Sequence, residues 1–564
     1  MKVKTGLGYQ NYEEVIANNI FYIDKTGFIK EWWENADKVT LITRPRRFGK
    51  TLNLSTVECF FSNKYACRGD LFEGKDIWKD EQYRRLQGTY PVIFLSFANI
   101  KATEYKKMEY KITEVIAQLY ARNSYLLDGN LLSENEKEYF KNIKPGMADE
   151  VASGAIHVMA DFMQRYYEKN VIIILDEYDT PMQEAWLNGY WDEAVEFFRG
   201  LFNSTFKTNN YLERGLITGI TRISKESIFS DLNNLSIVTT TSNKYAAAFG
   251  FTQDEVCHTL NEMGLGEETE GVKKWYDGFT FGRHTDIYNP WSIASFISNG
   301  GEYGAYWSNT SGNGLVNSLI QKGSPDIKQT MGDLLEGKSF KVQIDEQILF
   351  NQLNGSDNAV WSLLLATGYL KVLNVVYIGE QKRPRYTLAL TNMEVEMMFG
   401  DMVKGWFDNA AATEYNNFIK ALLIDDVDAM NEFMNDIALN TFSNFDVAKS
   451  ASSKDAPERF YHGFVLGLIV ELGGRFDITS NRESGFGRYD VMLVPADKDK
   501  DNAYIIEFKV HKPKKEKDLE ETLKNAHMQI EEKQYETTLQ TKGFSSEQIR
   551  KYGFAFKGKE CLIG

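Results

Sequence analysis

Short apolar runs alternate with longer stretches of helical periodicity over about the first 240 residues. Within each run the apolar positions are nearly continuous, which is typical of parallel strands covered on both faces. We therefore predict an α/β domain with a mainly parallel sheet. The predicted strands are residues 39–43, 91–97, 171–175 and 216–220.

The pattern changes after residue 245. Residues 245–330 are rich in Gly, Asn, Trp and Tyr, which predicts a segment dominated by turns. Residues 361–372 followed by 385–390 predict a helix, a tight glycine turn and a hairpin, an order that suits a winged-helix-like module. A helical stretch then runs to about residue 445, and the small polar residues 448–457 predict a domain boundary.

Composition limits the class of protein. The chain has 564 residues, of which 43% are hydrophobic, so large cores can form and disorder is excluded. Its net charge of -15 argues against a surface that binds nucleic acid everywhere, so any such binding must be local. The four scattered cysteines fit the reducing cytoplasm. We predict neither a signal peptide nor a membrane span, because no long apolar run occurs.

The first candidate site follows strand 39–43. Gly49, Lys50 and Thr51 supply, in order, the loop amides, the lysine and the hydroxyl that a phosphate-binding loop requires at a helix N-terminus. Arg44 stands where the first glycine of GxxxxGK[ST] is expected, so the loop must turn by another route. An ordinary turn between a strand and a helix is the alternative for a Gly-Lys-Thr match alone.

An acidic pair strengthens the nucleotide interpretation. Asp176 and Glu177 follow strand 171–175, where the first carboxylate would hold Mg²⁺ and the second would polarise the attacking water. Both motifs fall at carboxyl ends of strands, where the ligand crevice of an open α/β sheet lies. A solvated turn is the alternative for the acidic residues alone. We predict that nucleotide and Mg²⁺ are bound by Arg47, Phe48, Gly49, Lys50, Thr51 and Asp176, with Thr51 and Asp176 contacting the metal.

A further strand ends beside this pair. Residues 216–220 lead to Thr221 and Arg222. The Thr221 side chain would sense the γ-phosphate. The Arg222 guanidinium would stabilise the charge of the transition state, so Arg222 is a candidate catalytic residue. A surface ion pair is the alternative for Arg222.

The second candidate site lies near the C-terminus. Glu507 and Lys509 are two apart on a predicted strand and therefore share one face, beside Asp490. Mg²⁺ prefers oxygen ligands, so we predict that Asp490 and Glu507 bind it while Lys509 orients or activates the attacking water. A lone Glu-x-Lys is usually a surface pair, but the apolar strand and the following helix favour a catalytic centre.

Three further predictions surround this centre. Glu458, on one helix face with His462, is a candidate for an additional metal contact, and Glu483 is its alternative. Gln529 either helps to position Lys509 or the phosphate, or lies on a solvated helix face. The basic run 511–517 is either a contact for a phosphate backbone or a solubilising loop.

The chain contains the longer motifs YIDKT (22–26), LITRPRRFGKTLNLS (41–55), LDEYDTPM (175–182), GITRISKESIFSDLNNL (219–235), WYDGFTFG (275–282), YNPWS (288–292) and WSNTSGN (307–313). Together they resemble the bacterial AAA-ATPase-like family that commonly carries a C-terminal PD-(D/E)XK nuclease-superfamily domain. The resemblance implies a P-loop ATPase fold in which RPRRFGKT is the normal phosphate loop. It also implies a role near the nucleotide for Tyr22, Asp24 and Lys25. Tyr489 stands where the nuclease motif has proline.

The predicted fold class is α/β. It comprises a P-loop NTPase core, a helical and winged-helix-like middle region, and a C-terminal restriction-endonuclease-like domain. The predicted segments are 1–245 (P-loop domain), 246–330 (lid), 331–400 (winged-helix-like module), 401–456 (helical connector) and 457–564 (nuclease-like domain). In the lid, Trp275, Tyr276, Trp291 and Trp307 are expected to pack rather than to stack on bases.

The predicted function is ATP binding and hydrolysis coupled to Mg²⁺-dependent phosphodiester hydrolysis, with ATP and Mg²⁺ as cofactors. Nucleic acid is the expected partner, DNA being favoured over RNA, and no membrane is expected. The alternative is a nucleotide-switched binding or signalling module whose nuclease-like domain is inactive. Assembly into a homo-oligomer is left open.

Overall fold

The chain divides into two compact units, one formed by Met1–Gly312 with Lys341–Val395 and the other by Asn313–Phe340 with Glu396–Gly564. The five segment boundaries drawn from the sequence stay predictions. The computed structural model describes residues 4–222, 228–229, 232–307, 314–321, 323–335, 337–344, 353, 356–441, 472, 475–480, 483–484, 487–488, 490–498, 500–513, 515–557 and 560–564.

A five-stranded parallel sheet forms the centre of the first unit. Its strand order is β2-β3-β4-β1-β5. Every residue of β1 and β3 is buried, as expected for apolar strands covered on both faces. The four predicted strands are confirmed, whereas β5 was missed. The strands are β1 Val39–Thr43, β2 Val92–Ser96, β3 Val171–Asp176, β4 Leu212–Gly219 and β5 Leu235–Val238.

Helices and an aromatic core surround these strands. Trp32, Phe60, Phe61 and Phe72 are buried with apolar side chains of the sheet, and burying each contributes roughly 1.5–3 kcal/mol. The helices are α1 Tyr12–Ala17, α2 Gly27–Asn35, α3 Lys50–Phe61, α4 Glu81–Leu86, α5 Tyr105–Arg122, α6 Glu134–Asn142, α7 Asp149–Tyr167, α8 Thr180–Asn188 and α9 Trp191–Phe202.

The segment after residue 245 contains more regular structure than predicted. The expectation of a turn-dominated segment is wrong, because several of its glycine and asparagine residues lie within helices or at the ends of helices and strands. Asn289, for example, caps a helix by accepting hydrogen bonds from the backbone N of Trp291 (2.9 Å) and Ser292 (3.2 Å). The strands form a sheet of order β6-β8-β7. The elements are β6 Phe251–Thr252, α10 Gln253–Glu262, α11 Thr269–Tyr276, β7 Phe279–Phe281, β8 His284–Tyr288 and α12 Pro290–Ser298.

Asp277 lies in the turn between α11 and β7. Its Oδ1 is buried and has no hydrogen-bond partner among the described residues. Burial raises the pKa of this carboxyl from its ordinary value of 3.8 to about 6, and the nearby Asp286 adds to the effect. The folded chain therefore holds this proton more tightly than the unfolded chain does.

This linkage predicts that the contribution of Asp277 to stability falls as the pH rises from about 4 to about 6 and is constant above that range, with a loss of about 2 kcal/mol after a discount for the partial exposure of the carboxyl. Asp277→Asn is expected to remove this part of the pH dependence. Thermal unfolding between pH 4 and 7 measures it, with the exposed Asp128→Asn as control. A pH profile of Asp277→Asn that matches the wild type would contradict the prediction.

The predicted order of helix, glycine turn and hairpin is present. Gly368, with φ +86°, forms the turn, and a Cβ atom there would lie 2.8 Å from Pro45 Cγ, so only glycine fits. The hairpin strands belong to a sheet of order β10-β11-β9. In chain order the elements are α13 Gly314–Gln321, α14 Pro325–Leu335, β9 Phe340–Val342, α15 Asp357–Ala366, β10 Leu370–Ile378 and β11 Arg383–Leu390.

The predicted helical stretch is divided into α16 (Met393–Leu423) and α17 (Val427–Thr441). The break contains Asp425, whose φ of +60° cannot continue a helix. The predicted boundary at 448–457 lies outside the described residues. Among the residues that the structure describes, no helix combines the length and apolar content needed to cross a membrane.

The C-terminal part of the second unit is built on a mixed sheet of order β12-β15-β16-β17-β18. β15 and β16 are antiparallel and are joined through residues 496–502. β16 and β17 are parallel, and the chain between them carries α18. The elements are β12 Phe476–Ser480, β13 Glu483–Ser484, β14 Gly487–Arg488, β15 Val491–Pro495, β16 Ala503–Val510, α18 Leu519–Glu532, α19 Thr537–Thr541, β17 Ile549–Lys557 and β18 Glu560–Ile563.

Candidate functional site

The loop between β1 and α3 has the form of a phosphate-binding loop. Gly49 caps α3 with φ +76°, a left-handed conformation that glycine adopts without strain. Arg47 has φ +62°. The chain thus turns sharply before a helix whose first amides have no partner within the helix, which is the geometry that binds phosphate.

Lys50 begins this helix and folds back over the loop. Its Nζ donates to the carbonyls of Arg44 (3.2 Å) and Pro45 (3.1 Å). It also lies 3.4 Å from Oε1 of Glu177, and its side chain is only 3% exposed. The lysine therefore links the predicted loop to the predicted acidic pair.

Asp176 joins the two motifs directly. Its Oδ2 accepts a hydrogen bond from Thr51 Oγ1 (2.7 Å), and its Oδ1 accepts one from Thr218 Oγ1 (2.7 Å). Burial and the neighbouring Glu177 raise the pKa of this carboxyl, while the two hydroxyl donors oppose that effect. Thr218 was not predicted. It lies on β4 beside β3, and a threonine within an apolar run gives no signal of its partner.

Glu177 has a strained backbone. Its φ is +52°, a conformation that costs a residue with a Cβ about 1–2 kcal/mol. The next residue is held firmly, since Tyr178 N donates to Thr218 O (3.0 Å) and Tyr178 Oη donates to Thr221 O (2.8 Å). These bonds fix the turn that presents the Glu177 carboxylate to Lys50, and strain of this kind is common at functional sites.

Asp179 organises the end of β4. The fully buried carboxylate accepts hydrogen bonds from Ile220 N (3.1 Å), Thr221 N (2.8 Å) and Thr221 Oγ1 (2.8 Å). Burial, followed by the charge of Glu177, raises the pKa of this group. It thereby positions Arg222, which is half-buried and whose Nε has no hydrogen-bond partner among the described residues.

Arg44 explains how the loop turns without its first glycine. The guanidinium is fully buried and donates to the carbonyls of Thr43 (2.9 Å) and Thr239 (2.7 Å), with a weaker bond to Lys244 O (3.3 Å). Its carbon also lies 4.5 Å from the ring centre of Phe281. Arg44 is therefore a structural anchor that ties the loop to residues 239–245.

A set of side chains from the predicted lid holds the other side of the loop. The carbonyl of Arg46 accepts hydrogen bonds from Trp307 Nε1 (3.0 Å) and Asn289 Nδ2 (3.3 Å). The guanidinium of Arg47 lies 3.7 Å from the ring centre of Trp291. We call Asn289, Trp291 and Trp307 the loop brace.

Two further contacts fix the brace and the loop. Glu394 is fully buried and accepts hydrogen bonds from Ser292 Oγ (2.8 Å) and from the backbone N of Trp307. Phe48 packs edge-on against Phe279, with ring centres 4.7 Å apart. Trp291, Trp307 and Phe279 thus contact the loop before α3, whereas Trp275 and Tyr276 pack against Tyr303.

The upstream motif makes its contacts elsewhere. Lys25 Nζ pairs with Glu255 Oε2 (2.6 Å) and donates to Ala247 O (2.9 Å). Asp24 accepts hydrogen bonds from Thr26 Oγ1 (2.7 Å) and from the backbone N of Asp76 (2.7 Å). These bonds fix the chain that enters α2, and a role near the nucleotide stays a prediction.

The C-terminal sheet brings the second predicted set together. Asp490 lies one residue before β15 rather than within it, and its Oδ2 accepts a hydrogen bond from Phe508 N (2.8 Å). Phe508 separates Glu507 from Lys509 on β16. Lys509 Nζ lies 3.1 Å from Glu507 Oε1, and the Glu507 side chain is 1% exposed. Asp490, just before β15, therefore lies beside Glu507 and Lys509 on the neighbouring strand β16.

Gln529 and Tyr535 complete the surroundings of Glu507. Gln529 Nε2 donates to Glu507 Oε1 and to Tyr535 Oη (3.0 Å). One of the two predictions for Gln529 was that it positions Lys509 or a phosphate. In the structure its side chain instead contacts Glu507, a candidate metal ligand. Tyr535 was not predicted. Burial raises the pKa of its hydroxyl, and the charges of Glu507 and Asp490 add to the effect.

The donor set suits a hard cation, since two carboxylates at one strand end offer the oxygen ligands that Mg²⁺ prefers. Among the described residues, no group of three or more His, Cys, Asp or Glu side chains is placed to hold a metal. Glu458, the candidate for an additional metal contact, lies outside the described residues, as does His462. Glu483 is in β13, paired with Arg488. In the basic run, His511 Nδ1 lies 3.1 Å from Thr522 Oγ1.

Comparisons with known proteins match both regions. Residues 6–229 match a family model described as predicted AAA-ATPase, and residues 456–564 match a model of the PD-(D/E)XK nuclease superfamily. An uncharacterized protein in the vnfD 5′ region of Azotobacter chroococcum mcd 1 is 26% identical over 399 residues, which are 70% of this chain and 68% of the relative. The solved Walker-type ATPase paby2304 of Pyrococcus abyssi matches at 13% identity and a TM-score of 0.35, covering 71% of this chain and 98% of that one.

Each family match contains one of the two candidate sites. The five-stranded parallel sheet fits a P-loop NTPase core, and the mixed C-terminal sheet fits a PD-(D/E)XK domain. The chain therefore combines an N-terminal AAA-ATPase-like region with a C-terminal PD-(D/E)XK nuclease-superfamily domain.

Proposed function

We propose that this protein hydrolyses ATP in its first unit and uses the nucleotide state to control Mg²⁺-dependent cleavage of DNA by its C-terminal domain. The observation that carries the ATP part is the hydrogen bond between Thr51 and Asp176, which joins the phosphate loop to the acidic strand end. The cleavage part is supported by the adjacency of Asp490, Glu507 and Lys509.

In the ATP site each group has a distinct task. The loop amides and Lys50 bind the β- and γ-phosphates. The phosphates then take the place of the Arg44 and Pro45 carbonyls as the contacts of Lys50 Nζ. Thr51 and Asp176 would hold the Mg²⁺ that neutralises phosphate charge. Glu177 orients and polarises the attacking water. Arg222 stabilises the charge that develops on the transferred phosphoryl group.

In the nuclease site Asp490 and Glu507 would hold Mg²⁺, which when bound supplies Lewis-acid stabilisation of the scissile phosphate. Lys509 offers positive charge to the phosphate and orients the attacking water. Gln529 and Tyr535 keep the Glu507 carboxylate in place through the hydrogen bonds described above. Glu458 is proposed to add a metal contact.

Two assays on the full chain test this function. Phosphate release from ATP measures hydrolysis, and loss of supercoiled plasmid in Mg²⁺, with and without ATP, measures cleavage. We expect both activities, with a cleavage rate that depends on ATP. Absence of phosphate release would reject the ATPase part, and absence of cleavage of DNA and RNA with Mg²⁺ or Mn²⁺ would reject the nuclease part.

One observation favours a second candidate, a nucleotide-switched binding module with an inactive nuclease-like domain. Glu507 Oε1 is already engaged by Lys509 and Gln529, and the described residues provide only two carboxylates at the site. This candidate predicts tight nucleotide binding and nucleic-acid or protein binding without any cleavage.

The loop brace yields a prediction for nucleotide affinity. Trp307→Phe keeps the aromatic packing but removes the N–H that holds the Arg46 carbonyl. We expect the KM for ATP to rise about 3- to 10-fold with little change in kcat, as the loss of one buried hydrogen bond implies. Steady-state hydrolysis measures the effect, and Trp275→Phe, outside the brace, is the matched control. An unchanged KM would show that the brace does not shape the loop.

A further inference from the structure

The β10–β11 hairpin carries a concentrated exposed apolar surface. Leu373, Val376, Tyr377 and Ile378 are 53%, 51%, 67% and 44% exposed, and they are four of the twelve large hydrophobic side chains that are exposed among the described residues. The base of the hairpin is anchored, because Leu370 and Leu388 are buried. The hairpin therefore projects its tip into solvent, and an exposed cluster of this kind marks an interaction surface.

The same hairpin is basic in an acidic protein. Residues 370–390 contain four cations and one carboxylate, so their net charge is +3, whereas the whole chain has -15. Lys382, Arg383 and Arg385 are exposed and form no ion pair within the described part of the chain. Three exposed, unneutralised cations at one tip favour a polyanionic partner.

The strand register combines these two properties. Arg385 is opposite Val376, and Arg383 is opposite Ile378. Residues directly opposite in an antiparallel pair share a face, so one face of the tip alternates guanidinium and apolar groups. Tyr377 lies on the other face. A two-stranded ribbon of this kind fits a nucleic-acid groove, where arginine contacts phosphates and base edges, and an exposed aromatic ring can stack on a base.

Strand pairing with another protein chain is disfavoured. β10 is an edge strand of its sheet, but its register shifts between Val372 and Asn374, and a bulge of this kind interrupts regular pairing. Pairing with a second copy would also bring two sets of unneutralised arginines together. The positive charge and the bulge therefore favour nucleic acid, rather than a strand of another protein chain, as the partner of the hairpin.

We propose that the β10–β11 hairpin is a nucleic-acid-binding arm, which holds the backbone through Lys382, Arg383 and Arg385 and stacks Tyr377 on a base. The arm belongs to the first unit, whereas Asp490, Glu507 and Lys509 belong to the second. The proposal rests on the proposed function only in taking nucleic acid as the substrate.

Fluorescence anisotropy with a labelled 30-base-pair DNA duplex and the matching single strand, in EDTA to prevent cleavage, tests the arm. Substituting all three cations (K382Q/R383Q/R385Q) is expected to weaken binding at least 10-fold near 0.15 M salt and to reduce the salt slope by about 2 to 3. Tyr377→Ala is expected to weaken single-strand binding about 5-fold or more. The matched control is K101Q/K141Q/K144Q, which removes three exposed lysines elsewhere in the same unit.

The outcomes separate this proposal from the proposed function. If the triple variant binds as tightly as the wild type, the arm is rejected, whereas DNA cleavage by the wild type would still support the nuclease. If DNA binding depends on the three cations of the arm but the protein cleaves no nucleic acid, the binding arm is supported and the nuclease part of the proposed function is rejected. A wild type that binds no nucleic acid, or a triple variant that loses self-association in size-exclusion chromatography while DNA binding is unchanged, overturns the arm.

Discussion

Lys50→Ala is expected to lower kcat/KM for ATP hydrolysis by at least about 100- to 1000-fold, the size of effect found when one preorganised charge that faces the transition state is removed. The buried Lys50 ammonium contacts both the loop carbonyls and Glu177. Its loss removes the cation that would bind the β- and γ-phosphates. Phosphate release across ATP concentrations measures the effect.

The control for this substitution is Lys38→Ala. Lys38 also donates to a backbone carbonyl, that of Leu212, but it lies before β1, at the end of the strand opposite the loop. We expect near wild-type hydrolysis from this variant. Because Lys50→Ala leaves Glu177 without its cation, thermal unfolding of all proteins checks that they are folded. A folded Lys50→Ala protein with wild-type hydrolysis would refute the assignment of the loop.

Lys509→Ala and Asp490→Ala are each expected to lower the rate of DNA cleavage by at least about 100-fold. Lys509 supplies the positive charge beside the scissile phosphate, and Asp490 supplies one of the two carboxylates. Plasmid cleavage with saturating Mg²⁺ and ATP measures the rate, and ATP hydrolysis by the same variants should be retained.

One matched control lies in the same sheet and the other in the connection between β15 and β16. Lys551→Ala, on β17, removes a lysine paired with Glu531, and Asp501→Ala removes a carboxylate paired with Arg475. Both should cleave DNA at close to the wild-type rate. Cleavage that survives in Asp490→Ala and Lys509→Ala would place the activity elsewhere or in a contaminant.

The central sheet and its site were largely predictable from sequence. Fully buried parallel strands must be apolar throughout, so β1 and β3 stand out in the sequence. Parallel strands also bring their carboxyl ends to one edge, which is why Thr51 and Asp176 could be expected to meet although 125 residues separate them. A different rule, that residues two apart in a strand share a face, placed Glu507 and Lys509 together on β16.

The supporting contacts could not be predicted in this way. Trp307 and Asn289 act on the backbone carbonyl of Arg46 from more than 240 positions away, and a backbone acceptor leaves no residue-type signal. Tyr535 reaches the nuclease site only because the chain turns after α18. Asp179 gives no sequence signal of its role, because only the fold buries its carboxylate and makes it the acceptor for the backbone N of Ile220 and Thr221, just after β4.

Arg44 has a consequence for how ATP would bind. A glycine at this position would leave the loop free to sample many conformations, and ordering it would cost entropy each time a nucleotide arrived. The buried guanidinium instead fixes the loop to residues 239–245 when the chain folds. Most of the loop is then ordered when the chain folds, before ATP binds. Little of the binding free energy of ATP is therefore needed to offset the entropy cost of ordering the loop.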